Sequence, residues 1–170
     1  MNIYLTTGTS EFLKIKKEKH PNEKMFLMQN AENSLLLHET NEKTVFNSPR
    51  KFEVIDSKGE IQEEGFVVMN NIPVTDEDRP AFEFRFKNRV GLIEKEPGFI
   101  AVRVLRPINS DTYVIFTQWE SQIAFKNWQT SSSFQEAHKK PASENVDFNK
   151  KIFSGSSYIT QYSLSADEEK

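Results

Sequence analysis

Strand, helix, strand, strand is an order of elements that this chain carries twice, and it limits the possible folds more sharply than composition does. The opening NIYLTT (2–7) is β-leaning, and Gly8 with Ser10 supplies a break and a helix cap ahead of FLKIKKEKH. Pro21 and Asn22 end that helix, after which MFLMQ and SLLLHET, separated by the turn-prone NAEN, form a hairpin. A polar connector follows, punctuated by Pro49 and Gly59, with one strand at FEVID. From Gly65 the order begins again: GFVVMNNI as a strand, then TDEDRP as a helix entry with Asp78 as N-cap and Pro80 in the first turn. Phe82, Phe86, Val90 and Ile93 recur at helical spacing, so a helix running to about Glu96 presents one apolar stripe to a sheet. Pro97-Gly98 stops it. FIAVRVLRP and TYVIFTQWE then form a second hairpin across PINSD, SQIAFKNWQ and SFQEAHKK read as short helices broken at Ser131–Ser133, and SSYITQYSL is a last strand before a frayed acidic tail.

Two such units predict an α+β fold of ferredoxin-like β-α-β-β halves. Their antiparallel sheets can join into the arrangement of a dimeric α+β barrel built within one chain. The expected division is residues 1–62, with the connector, and 63–170. No repeat is visible in residue identity, so this rests on element order alone.

Composition matters next for what it excludes. At 170 residues, 36% hydrophobic, the chain can build one shared core but not a multi-domain machine. The absence of cysteine removes disulfides, thiolate haem ligation, cysteine-bound clusters and cysteine nucleophiles, so metal chemistry must use histidine or carboxylate. With 22 basic and 25 acidic residues the net charge is −3, which argues against nucleic acid as a partner. No run approaches the roughly 18 apolar residues of a membrane span, and the start lacks a basic leader and long apolar run, so the expected location is cytoplasmic, without a membrane. Between 79 and 106, Arg79, Arg85, Lys87, Arg89, Lys95, Arg103 and Arg106 face only Glu83, Glu94 and Glu96, a window suited to a small anion.

Chemistry-bearing residues are few. HExxH, GxSxG, P-loop and GxGxxG patterns are absent. Of the three histidines, His20 ends a lysine-rich helix, His38 sits in a strand where a satisfied sheet histidine is expected, and His138 closes the pattern Ala124-Phe125, Trp128, Ser131, Phe134, Ala137-His138. Taken singly, Phe125, Trp128 and Phe134 are helix core, and His138 is a polar residue near a helix end. Asn70-Asn71 ends a strand, where asparagine is common; alternation puts Asn70 on one face with Phe66 and Val68 and sends Asn71 to the other.

That tract, with Trp119-Glu120 before it, Pro97-Gly98-Phe99 leading into Arg103–Pro107, and Asn70 ahead of the helix, resembles the IsdG-type haem-degrading monooxygenases of the antibiotic-biosynthesis-monooxygenase superfamily over about 65–140. With Gly8-Thr9, Phe12-Leu13, His38-Glu39-Thr40 and Phe86-Lys87-Asn88-Arg89, the full length is similar to the HmoB-like members, which carry an added N-terminal half.

The resemblance implies that Asn70, Trp128 and His138 form the family's catalytic triad. His138 is then the proximal ligand of haem iron, a neutral imidazole that leaves the opposite position open. Asn70 donates toward activated oxygen there, and Trp128 distorts the macrocycle. Haem becomes substrate as well as cofactor, consumed with O2 and an external electron donor supplied by an unidentified reductase, since no flavin or nicotinamide fingerprint is present. Phe86 belongs to the haem-contacting stripe. Arg85 and Arg89, one helical turn apart, can meet the propionates, although such cations also suit the wet face of an amphipathic helix. The N-terminal half holds no second triad, so one haem per chain and a monomer are expected. Two other functions stay open: a haem-binding carrier or signalling protein without turnover, and a cofactor-independent oxygenase of an aromatic polyketide or quinol.

Overall fold

The computed structural model describes residues 1–86, 90–130 and 156–164. Eight antiparallel strands close into a barrel in the order β1-β3-β2-β8-β5-β7-β6-β4. The first half supplies β1 (Asn2–Gly8), α1 (Ser10–Lys19), β2 (Met25–Gln29), β3 (Ser34–Thr40) and β4 (Arg50–Lys58). The second supplies β5 (Gly65–Pro73), α2 (Arg79–Phe86), α3 (Val90–Ile93), β6 (Phe99–Ile108), β7 (Thr112–Trp119), α4 (Gln122–Gln129) and β8 (Tyr158–Leu164). Each half is the ferredoxin-like unit that the repeated order predicts, and the arrangement repeats about a pseudo-twofold axis: β8-β5-β7-β6-β4 mirrors β4-β1-β3-β2-β8.

Alternation along the strands separates two faces. Ile3, Leu5, Leu37, Phe52, Val67 and Phe116 point inward and fill the barrel, each full burial contributing about 1.5–3 kcal/mol against exposure. The opposite face carries the helices. The apolar stripe falls where its spacing predicts, with Phe82 and Ile93 buried. The helix entry differs from expectation: a 3-10 turn, Asp76–Asp78, precedes α2, and Asp78 closes it by accepting from Thr75 Oγ1 at 2.6 Å rather than capping the helix.

The halves are joined unequally. β4 pairs with β1 and with β6 from Lys51↔Ile108 to Lys58↔Val102, whereas β2 meets β8 through Gln29↔Ser163 alone. A buried ion pair crosses between halves inside the barrel: Arg103 Nε of β6 donates to Glu39 Oε2 of β3 at 2.8 Å, and its Nη1 donates to the carbonyls of Gly59 and Val102 at 2.9 Å. Among the described residues no helix is long and apolar enough to cross a membrane.

Candidate functional site

The outer face of β8-β5-β7-β6 is the surface that the second half's helices cover. Phe66, Val68, Asn70 and Ile72 face outward from β5, opposite Trp119, Thr117, Ile115 and Tyr113 of β7. Two apolar clusters share this face. One lies under α4 and holds Phe66, Val68, Val102, Trp119 and Phe125, with Trp128 and Ile115 at its margin. The other lies under α2 and holds Ile72, Val74, Phe82 and Tyr113, with Phe86 and again Ile115.

Asn70 stands where these clusters meet. It falls between Val68 and Ile72 on its own strand, pairs with Ile115 on one side and Ile159 on the other, and is partly buried. Its side chain makes no hydrogen bond to any described residue. Asn71, its neighbour, faces the opposite side as alternation predicts; that side is the barrel interior, and Asn71 is 2% exposed. There Nδ2 lies 3.2 Å from the carbonyls of Met69 and Tyr158 and from Thr160 Oγ1, sharing its two hydrogens among them. One asparagine is therefore structural, and the other offers a donor and an acceptor to something on the outer face.

Trp128 sits near the end of α4, its ring stacked on Trp119 at 5.3 Å and 29° and lying 6.0 Å from Phe125. Phe125 is core, as its residue type suggests, while Trp128 remains partly buried. Trp119 is fully buried and donates from Nε1 to Thr117 Oγ1 at 3.1 Å, so the stack has a fixed base. The close approach of α4 depends on Gly98, whose φ is +83° and whose absent Cβ would lie 2.5 Å from Ala124 Cβ. Trp119 is opposite Phe66, and Asn70 lies four residues further along β5, about 13 Å away at strand rise. Asn70 and Trp128 thus lie on the same outer face of the sheet.

On the other side of Asn70, α2 carries Arg85 and Phe86. The Phe86 ring is 4.8 Å from Phe82, which stands 4.6 Å from Tyr113. Glu83 staples this helix to the sheet: it accepts from Arg106 Nε at 2.8 Å, from Arg106 Nη2 at 2.6 Å and from the Tyr113 hydroxyl. Arg106 also reaches Glu53 at 2.9 Å, and Arg79 donates to Tyr113 Oη at 3.1 Å. The hydrogen bonds from Arg106 hold the Glu83 carboxyl below its ordinary range, and burial pushes the Tyr113 phenol up.

These pairs narrow the expected anion-binding window. Arg79, Arg103 and Arg106 are committed to Tyr113, Glu39 and Glu83 respectively, within the protein rather than to a ligand. Tyr113 and Glu39 lie outside the counted window, which is why local charge counting left Arg79 and Arg103 unpartnered. His138 and Arg89 lie outside the described residues, as do Ser131, Phe134 and Ala137.

His38 is the satisfied sheet histidine that was expected, fully buried, with Nε2 2.7 Å from Glu23 Oε1 and Nδ1 3.0 Å from Thr44 Oγ1. It belongs to the first half's counterpart of the candidate face, where Tyr4, Leu13, Leu36 and Phe46 are all buried. That surface is filled by the protein itself. An open cavity of about 630 Å³ lies at the Phe66 end of the candidate face, between Glu64, Phe66, Glu120, Ser121 and Ser163, and none of Asn70, Trp128, Arg85 and Phe86 lines it.

Residues 65–140 match the sequence profile of the family described as Antibiotic biosynthesis monooxygenase. Fold and profile together define the class: an α+β barrel of ferredoxin-like units whose second half resembles an antibiotic biosynthesis monooxygenase domain. Among characterised proteins, the chain is similar to the signal transduction protein TRAP of Staphylococcus epidermidis, at 28% identity over 142 residues covering 84% of this chain and 85% of that one. It is also similar to the heme-degrading monooxygenase of Listeria monocytogenes, at 26% identity over 129 residues covering 76% and 77%. A solved structure of a major regulator of staphylococcal pathogenesis superposes with a TM-score of 0.83 at 26% identity, covering 96% of this chain and 98% of that one.

Proposed function

We propose that this protein is a haem-degrading monooxygenase that takes haem on the outer face of β8-β5-β7-β6. The observation that carries this reading is Asn70: a carboxamide without a described partner, framed by Ile115, Ile159, Val68 and Ile72, is what a flat apolar ligand with one polar reaction centre requires. When bound, haem supplies the iron that engages dioxygen and the ring that is oxidised.

The chain's residues do the rest. His138 would hold the haem iron through a neutral imidazole. Asn70 would offer its Nδ2 hydrogens to the polar reaction centre of the bound ligand. Trp128, held from behind by Trp119, presses an indole against the macrocycle. Phe86 extends the apolar wall, and Arg85 with Arg89 meets the propionates. Electrons come from an external donor through a separate reductase. That Leu13, Leu36 and Phe46 occupy the first half's equivalent surface supports the reading of one haem per chain, in a protein that works as a monomer.

Adding hemin to the purified protein tests this. A Soret band that collapses on supply of ascorbate and air supports it. His138→Ala is expected to abolish the band, and Asn70→Ala to retain binding while blocking turnover; full turnover by either variant defeats the assignment. The similarity to proteins named for signal transduction favours one alternative, haem binding without turnover, for which the band persists under ascorbate. Absence of any band points instead to cofactor-independent oxygenase chemistry.

A further inference from the structure

The outward row of β8 is exposed beside Asn70. Ile159 pairs directly with Asn70, Gln161 with Val68 and Ser163 with Phe66. Val68 and Phe66 are buried beneath α4, yet Ile159 is 52% exposed although it lies inside a paired strand. With Ile115 paired to Asn70 on the other side, it leaves the Asn70 amide as the one polar group in an apolar row across three strands.

Nor is its position loose. Both neighbours of Ile159 are tied to β5 by Asn71, whose Nδ2 donates to the Tyr158 carbonyl and to the Thr160 hydroxyl at 3.2 Å, and further along Asn30 Nδ2 donates to the Gln161 carbonyl at 3.0 Å. The buried Asn71 therefore fixes the strand that aims Ile159 outward, while Asn70 faces the ligand next to it. A directly opposed pair places the two Cβ atoms about 4.5–5.5 Å apart, so a planar molecule touching the amide also covers the isoleucine.

We infer that Ile159 is a substrate-contacting residue, an apolar wall at the β8 edge that sets where the macrocycle lies against the Asn70 amide. This rests on the haem reading of the site and extends it to a strand that the sequence resemblance does not reach. Asn71 is the positioning residue behind it.

The test is a hemin titration read by Soret absorbance on the full chain, comparing wild type with Ile159→Asp and Ile159→Val, with thermal unfolding measured alongside. Replacing a half-exposed aliphatic contact by a carboxylate is expected to weaken hemin binding about tenfold, and removing one methylene to change it about twofold or less. Tm stays close to wild type in both, because the side chain is already in water. Wild type without haem affinity overturns the site reading and this inference together. Wild type that binds while Ile159→Asp binds equally well overturns this inference alone. A large fall in Tm with unchanged affinity also overturns it, since Ile159 would then be packed against the protein itself.

Discussion

Gly98→Ala tests how the Trp119–Trp128 stack is held. Gly98 has φ +83°, where an L side chain costs about 1–2 kcal/mol. The new methyl would also stand 2.5 Å from Ala124 Cβ, more than 1 Å inside the roughly 3.5–4.0 Å at which carbon atoms rest. Accommodating it must shift α4, at about 1–3 kcal/mol for an overpacked contact. The expected total is about 3 kcal/mol, or about 6–12 °C in Tm for a chain of this size. Urea unfolding followed by tryptophan emission is the natural assay, because the only two tryptophans are the stacked pair. The steric share is separable by a double-mutant cycle: in an Ala124→Gly background, Gly98→Ala should cost about 1–2 kcal/mol less, after allowing for the helix penalty of the glycine itself. A loss under about 0.5 kcal/mol, or equal losses in both backgrounds, would refute the claim that Gly98 sets the approach of α4.

Glu39→Gln leaves the Arg103 guanidinium buried without its counter-ion, so urea unfolding should show a loss of about 3–5 kcal/mol, largely recovered when Arg103→Met is added. Glu83 titrates lower in the folded state than its usual 4.5, so the native state holds fewer protons and this contribution disappears as pH falls below about that value. Glu83→Gln should accordingly lower stability at neutral pH and flatten the acid limb of the stability profile, measured by urea midpoints across pH; an unchanged acid limb would remove Glu83 from the account.

Element order was legible because each segment's periodicity agrees with its place in the barrel. That Asn70 and Asn71 face opposite sides followed from alternation alone, though not which of them points inward, and His38 followed from its strand context. β4 was read only as FEVID, yet it runs over nine residues from Arg50 to Lys58. Its ends are polar and its pairing slips between Val54 and Asp56, so strict alternation is broken where it would be looked for. The arginines misled for another reason: Glu39 is 64 positions from Arg103, and no local pattern announces a partner across the barrel. Gly98 was recognised as a helix stop, but its role against Ala124 depends on a tertiary approach. Ile159 was overlooked in SSYITQYSL, although its alternation with buried Tyr162 and Leu164 places it on the outward face.

The most direct measurement is a crystal structure of the protein loaded with haem. It should show the ring against the outer face of β8-β5-β7-β6, His138 on the iron, the Asn70 amide on the opposite side, and Ile159 covered. Haem seated elsewhere, or iron held by His20 or His38 with Asn70 facing solvent, would contradict the account.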